Sequence, residues 1–88
     1  MSEKEYRTLM KTWRRKNALY PDRGRSIRPW EEPLLREIRG VIAEGLLHGH
    51  AWARTAAVQW TGLPERLFHG PPEEVVRLFE EAFERACS

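Results

Sequence analysis

Apolar residues recur at steps of three and four positions through the middle of the chain. This spacing places them on one face of a helix with about 3.6 residues per turn. Pro33 fits the first turn of such a helix, where a missing backbone N–H breaks no helical bond. The pattern predicts a helix from about Trp30 to Gly45, and glycine suits a helix end because it lacks a Cβ atom. The apolar positions are Leu34, Leu35, Ile38, Val41, Ile42 and Leu46.

Three further segments show the helical period, and no segment alternates with the period of a strand. They cover residues 2–19, residues 50–61 before Gly62, and a last segment that begins at Pro72, with a short turn expected at 64–70. The sequence therefore predicts an all-α fold, a small bundle of four to five helices with a basic N-terminal arm. The three stripes are Tyr6, Leu9, Met10 and Trp13; Trp52, Ala53, Ala56, Ala57 and Trp60; and Val75, Val76, Leu78, Phe79, Ala82, Phe83 and Ala86.

Residues 20–29 predict a linker, because two prolines and a glycine block a helix there. This linker divides the chain into a basic N-terminal helix and linker (1–28) and a helical domain (29–88). The linker is itself basic and could lie against a partner. Its arginines are Arg23, Arg25 and Arg28.

Charge is distributed unevenly over the 88 residues, although the formal net charge is only +2. Residues 1–28 hold nine Lys or Arg and three Asp or Glu, whereas residues 63–88 hold three and six. This asymmetry indicates electrostatic docking with nucleic acid or with an acidic protein surface, and the solvated faces of amphipathic helices explain it equally well.

The cysteine content and the first residues of the chain limit which class of protein this can be. The single cysteine, Cys87, excludes an internal disulfide and a metal site built from cysteines. The charged first residues and the lack of a long apolar run predict neither a secretion signal nor a membrane span. We therefore expect a cytoplasmic protein.

Four tryptophans and one arginine are the candidates for interaction. Four large rings are hard to bury in a chain of 88 residues, so we expect some to face a second chain. Arg54 lies off the apolar stripe of its helix and should point away from the core. It is either an ordinary surface arginine or a guanidinium presented to an oxyanion on another subunit.

The segment from Arg54 to Phe68 also resembles a loose helix-turn-helix, which gives a DNA-binding or transcription-regulating alternative. Its second helix would begin at Pro64, end before Gly70 and offer few polar side chains to bases. His48 and His50 lack a nearby cysteine or a matched acidic ligand, so no metal site is predicted. The polar residues of the second helix are Glu65, Arg66 and His69.

The order of motifs resembles the N-terminal helical part of the nitrile hydratase β subunit over about two-thirds of the chain. The motifs are Ile27-x-x-Trp30-Glu31, a helix to a glycine, a short turn, a helix that carries Arg54, and a last helix from Val75 to Ala86. The related accessory proteins, which help deliver the metal, share the Trp-Glu start. They often carry a tryptophan where Trp52 stands but not the arginine, so this alternative stays open.

The resemblance implies an enzyme that hydrates a nitrile to an amide. Cobalt or iron is then expected in the partner α subunit, in a cluster with two oxidised cysteines, and no cofactor or metal in this chain. Arg54 would donate hydrogen bonds to the oxygens of these oxidised cysteines. A separate chain of the β C-terminal type would complete a split hetero-oligomer, as in thiocyanate hydrolases, without a membrane or nucleic acid. The expected interface residues are Trp30, Glu31, Trp52, Trp60, Arg23, Arg25 and Arg28.

The chain departs from this family in two places. The family's last helix has a tyrosine-rich start, which is replaced here by Pro72-Glu73-Glu74. The glycine-rich N-terminal arm is replaced by the basic first helix. A contribution to the substrate pocket is therefore not expected from the start of the last helix.

Overall fold

The computed structural model describes residues 3–19 and 31–87. Within these ranges every regular element is helical, which confirms the predicted all-α bundle. None of the described helices is both long and apolar enough to cross a membrane. The elements are α1 (Glu3–Leu19), α2 (Glu31–Leu47), α3 (Ala51–Thr61), a 3₁₀ turn (Glu65–Phe68) and α4 (Pro72–Cys87).

Several sequence predictions lie outside the described residues. The linker at 20–29 and the domain boundary after residue 28 are among them, and both stay predictions. Glu31 begins α2, but the position of its side chain is outside the description as well. The remaining residues in this group are Arg23, Arg25, Ile27, Arg28 and Trp30.

The end of α2 differs from the prediction. The helix continues past Gly45 to Leu47, so the prediction that Gly45 ends it is wrong. The left-handed residue that follows the helix is Gly49, with φ of 72°. The His50 N–H donates to the carbonyl of Gly45 at 2.9 Å, and the Gly49 N–H donates to that of Leu46 at 3.1 Å. These two bonds form a Schellman motif, which satisfies carbonyls at the helix end.

The predicted end of α3 and the predicted start of α4 agree with the structure. Gly62 ends α3 in the left-handed region, with φ of 74°, and its N–H donates to the carbonyl of Val58. The expected turn at 64–70 is the 3₁₀ turn, in which Phe68 is buried. Pro72 is the first residue of α4, where a proline costs no helical hydrogen bond.

The core lies where the apolar faces of α2, α3 and α4 meet. Ile38, Ile42 and Phe79 are fully buried, and each such side chain contributes about 1.5–3 kcal/mol relative to exposure. Over Glu3–Leu19 the predicted basic arm is a helix that packs on this core through its apolar stripe. Other core members are Leu34, Leu35, Leu46, Ala53, Ala56, Ala57, Phe68, Val75 and Phe83.

Candidate functional site

Arg54 stands at the corner between α2 and α3, in the first part of α3. Its side chain is partly buried, and its Nη1 donates to the carbonyl oxygen of Gly49 at 3.0 Å. The bond ties the arginine to the Schellman turn that ends α2. Within the described residues no carboxylate pairs with Arg54, and a guanidinium has several further N–H donors. The corner therefore holds a cation whose position is constrained and which can bind an oxyanion.

Aromatic rings pack against one another around the start of α3. Trp52 stacks on Tyr6 with ring centroids 5.6 Å apart, and on His50 at 6.2 Å. The exposed ring of His48 lies 6.2 Å from that of His50. Among residues 3–19 and 31–87, no three His, Cys, Asp or Glu side chains gather as metal ligands would.

A second aromatic cluster lies towards the end of α3. Trp60 meets Trp13 edge to face, with centroids 5.4 Å apart, and lies 5.2 Å from Phe83. Such pairs contribute about 0.5–1.5 kcal/mol beyond the area they bury. Three of the four tryptophans thus have partners within the chain, although each stays partly exposed. Trp52 and Trp60 both contact Tyr6, Trp52 by stacking and Trp60 by a hydrogen bond.

One hydrogen bond between aromatic side chains connects α1 to α3. The indole Nε1 of Trp60 donates to the hydroxyl oxygen of Tyr6 at 3.3 Å. Burial raises the pKa of Tyr6 above its usual value of 10.0, while the bond from Trp60 and the positive charge of Arg14 act to lower it. The phenol therefore stays protonated at neutral pH.

Sequence patterns did not single out a basic groove between α1 and α3. Its volume is about 320 Å³, and Tyr6 and Gln59 are among its lining residues. Three of its lining residues, Arg7, Lys11 and Arg14, are cations spaced by four and three residues along α1. This spacing is the sequence pattern that could have indicated the groove. The remaining lining residue is Met10.

The region proposed as a helix-turn-helix has no recognition helix. Its second element is the four-residue turn Glu65–Phe68, and Phe68 points into the core. His69 Nε2 lies 3.3 Å from a carboxylate oxygen of Glu65 at the surface. A turn of this length cannot present the three or four base-reading side chains that a recognition helix places in the major groove.

The chain matches no protein-family model, no curated protein and no solved structure at a significant level. The resemblance to the nitrile hydratase β subunit therefore rests on the order and spacing of its own residues. Of the residues that carry it, the structure describes Arg54 on α3 and the last helix from Val75 to Ala86, whereas Ile27 and Trp30 lie outside the described residues.

Proposed function

We propose that this chain is a small helical subunit of a nitrile hydratase-type hetero-oligomer. It would pack on the metal-bearing α subunit and supply Arg54 to its active site. The observation that supports this proposal is the bond from Arg54 to Gly49 at the α2–α3 corner. A hydrogen bond from the arginine to this turn restricts the side chain before its partner arrives, which lowers the entropic cost of binding.

The chemistry expected at the active site suits a guanidinium. Oxidised cysteines present sulfur oxygens that carry negative charge. An arginine stays charged when an interface buries it, and its planar fork can contact two oxygens at once. A charge-assisted hydrogen bond of this kind is roughly twice as strong as a neutral one. Arg54 would thus orient and stabilise the oxidised cysteines of the α subunit.

The metal itself belongs to the partner in this proposal. The described residues of this chain contain no cluster that fits cobalt or iron, so no ligand is assigned here. The α subunit and a separate chain of the β C-terminal type would complete the assembly. Trp52 lies on the same corner as Arg54 and would border the interface.

The accessory-protein alternative depends on Trp52. In the structure this ring closes over Gly45 and stacks on Tyr6, so its presence has a structural reason within the chain. The two roles differ in when the chain is needed. A metal-delivery protein acts while the α subunit is loaded, whereas a subunit is required in the active assembly.

Co-expression tests this proposal directly. We expect the chain to co-purify with an α subunit that carries the cysteine cluster and with a β C-terminal-type chain, and the assembly to hydrate nitriles. Arg54→Lys should lower kcat by more than about tenfold, a barrier change above about 1.4 kcal/mol. Arg77→Lys on α4 is the matched control, because Arg77 is an exposed arginine outside the corner.

Two results would contradict the subunit role. One is full hydration activity in an assembly that contains Arg54→Lys. The other is full activity after the chain is removed from a metal-loaded α subunit, which would favour the accessory role.

A further inference from the structure

The groove between α1 and α3 concentrates positive charge. Arg7, Lys11 and Arg14 line it from α1, and none of its lining residues is acidic. Arg7 also pairs with Glu3 at 2.7 Å, but both side chains are largely exposed. Such a surface pair contributes little to stability, so an incoming dianion can compete for the guanidinium.

Tyr6 supplies a donor whose direction is constrained. Its hydroxyl oxygen accepts the Trp60 N–H, and indole nitrogen can only donate, so the phenol proton is left to bond elsewhere. Within the described residues no acceptor takes that proton. The stacking contact with Trp52 holds the ring in place. Tyr6 is thus a lining residue of the groove, and its phenol proton is available for a hydrogen bond to a ligand.

The remaining surface is suited to the organic part of a ligand. Met10 contributes an adaptable apolar contact, and the Gln59 amide can donate or accept at the α3 side. The volume of about 320 Å³ is at the lower end of the range for small-molecule sites. The groove is thus small, cationic and partly apolar.

We propose that this groove binds a small organic dianion, such as a phosphate monoester or a dicarboxylate, between Arg7, Lys11, Arg14 and the Tyr6 hydroxyl. Three cations and a neutral donor can engage the oxygens while the ligand's apolar part lies on Met10. The chemistry shared by both ligand types is a pair of negative charges on oxygen. This inference goes beyond the proposed function, because neither Arg54 nor Gly49 lines the groove.

The test uses the full chain and amide NMR titrations at constant ionic strength, because salt screens exposed charges. The probes are phenyl phosphate, phthalate and the neutral compound phenol. We expect saturable shifts for the dianions that map to α1 around Lys11 and to Gln59 on α3, and none for phenol. The dianion with the higher affinity identifies the ligand type as phosphate monoester or dicarboxylate.

Three variants test whether the groove residues bind the ligand. Lys11→Gln and Arg14→Gln should each weaken binding by about tenfold, as expected for the loss of one hydrogen bond to a charged group. Tyr6→Phe should weaken binding, while the amide NMR spectrum of this variant stays that of a folded chain. Arg77→Gln on α4 changes the net charge equally and should leave the affinity unchanged.

Three outcomes would overturn the inference. The first is the absence of saturable binding by either dianion, and the second is shifts that map outside α1 and α3. The third is equal weakening by Lys11→Gln and Arg77→Gln, which would indicate attraction to net charge alone. Binding of duplex DNA with a steep salt dependence, but of neither dianion, would assign the basic face to nucleic acid instead.

Discussion

Gly45 on α2 and Ala53 on α3 approach so closely that the backbone of one faces the methyl group of the other. A Cβ atom added at Gly45 would lie 2.6 Å from the Cβ of Ala53 and 2.8 Å from Cζ2 of Trp52. Non-bonded carbon atoms normally stay about 3.5–4.0 Å apart. The crossing of α2 and α3 therefore requires glycine at position 45, and it brings the ring of Trp52 against α2.

Gly45→Ala should destabilise the chain by about 1–3 kcal/mol, because the added methyl group forces the two helices apart. Gly40→Ala on the same helix is the matched control. Its Cβ would meet nothing within 4 Å, so alanine should raise the free energy of unfolding by about 0.5–1 kcal/mol. Urea unfolding measures the stability of both variants. Stability changes of the same sign would contradict this account of the crossing.

Gly49 ends α2 in the left-handed region, which L residues with a Cβ adopt at a cost. Gly49→Ala should therefore lower stability by about 1–2 kcal/mol. Gly70→Ala serves as the control, because its Cβ would make only an ordinary contact with Val75 at 3.9 Å. Thermal unfolding of the two variants distinguishes them, and equal melting temperatures would contradict the role given to Gly49.

The bond from Trp60 to Tyr6 should be measurable as a coupling. Tyr6→Phe keeps the ring that stacks on Trp52 but removes the acceptor of the indole N–H. We expect a loss of about 1 kcal/mol, since the indole is only partly buried and water can replace the hydroxyl. A double-mutant cycle with Trp60→Phe should give an interaction energy of about 0.5 kcal/mol or more. Strict additivity would show that the bond contributes nothing.

Tyr6 should also affect stability at alkaline pH. Its pKa in the folded chain is raised above 10.0, mainly by burial, so the folded state keeps the proton longer than the unfolded state does. Its contribution is fully present below pH 10.0 and is lost as the pH rises through the folded-state pKa. Absorbance titration of Tyr20→Phe, which leaves Tyr6 as the single tyrosine, should show phenol ionisation above that value. Ionisation below it would contradict the burial argument.

Arg54 should matter little for the fold of the isolated chain. Arg54→Lys removes the guanidinium that donates to the Gly49 carbonyl. Because this hydrogen bond lies at the surface, the free energy of unfolding should fall by less than about 1 kcal/mol. Circular dichroism and urea unfolding check this expectation. A larger loss would mean that reduced hydration activity in the assembly reflects folding rather than the active site.

Local periodicity by itself determined the helices and the faces they bury. The steps of three and four residues through Leu34, Ile38 and Ile42 predict the buried side of α2 because a helix brings those positions together whatever it packs against. The left-handed Gly62 and the proline at position 72 likewise mark helix ends through their own backbone chemistry. These features need no information from distant parts of the chain.

Only the tertiary structure decided the role of Gly45, the partner of Trp60 and the anchoring of Arg54. A glycine suits both a helix end and a close helix crossing, and the choice depends on Ala53 of another helix. The Tyr6 hydroxyl that satisfies Trp60 is 54 positions away, so no local pattern reports it. The same holds for the basic groove, because the periodicity of α1 places its cations along one helix but not beside Gln59. Contacts between distant segments depend on how the helices pack, and the packing follows from the whole core rather than from any one stretch.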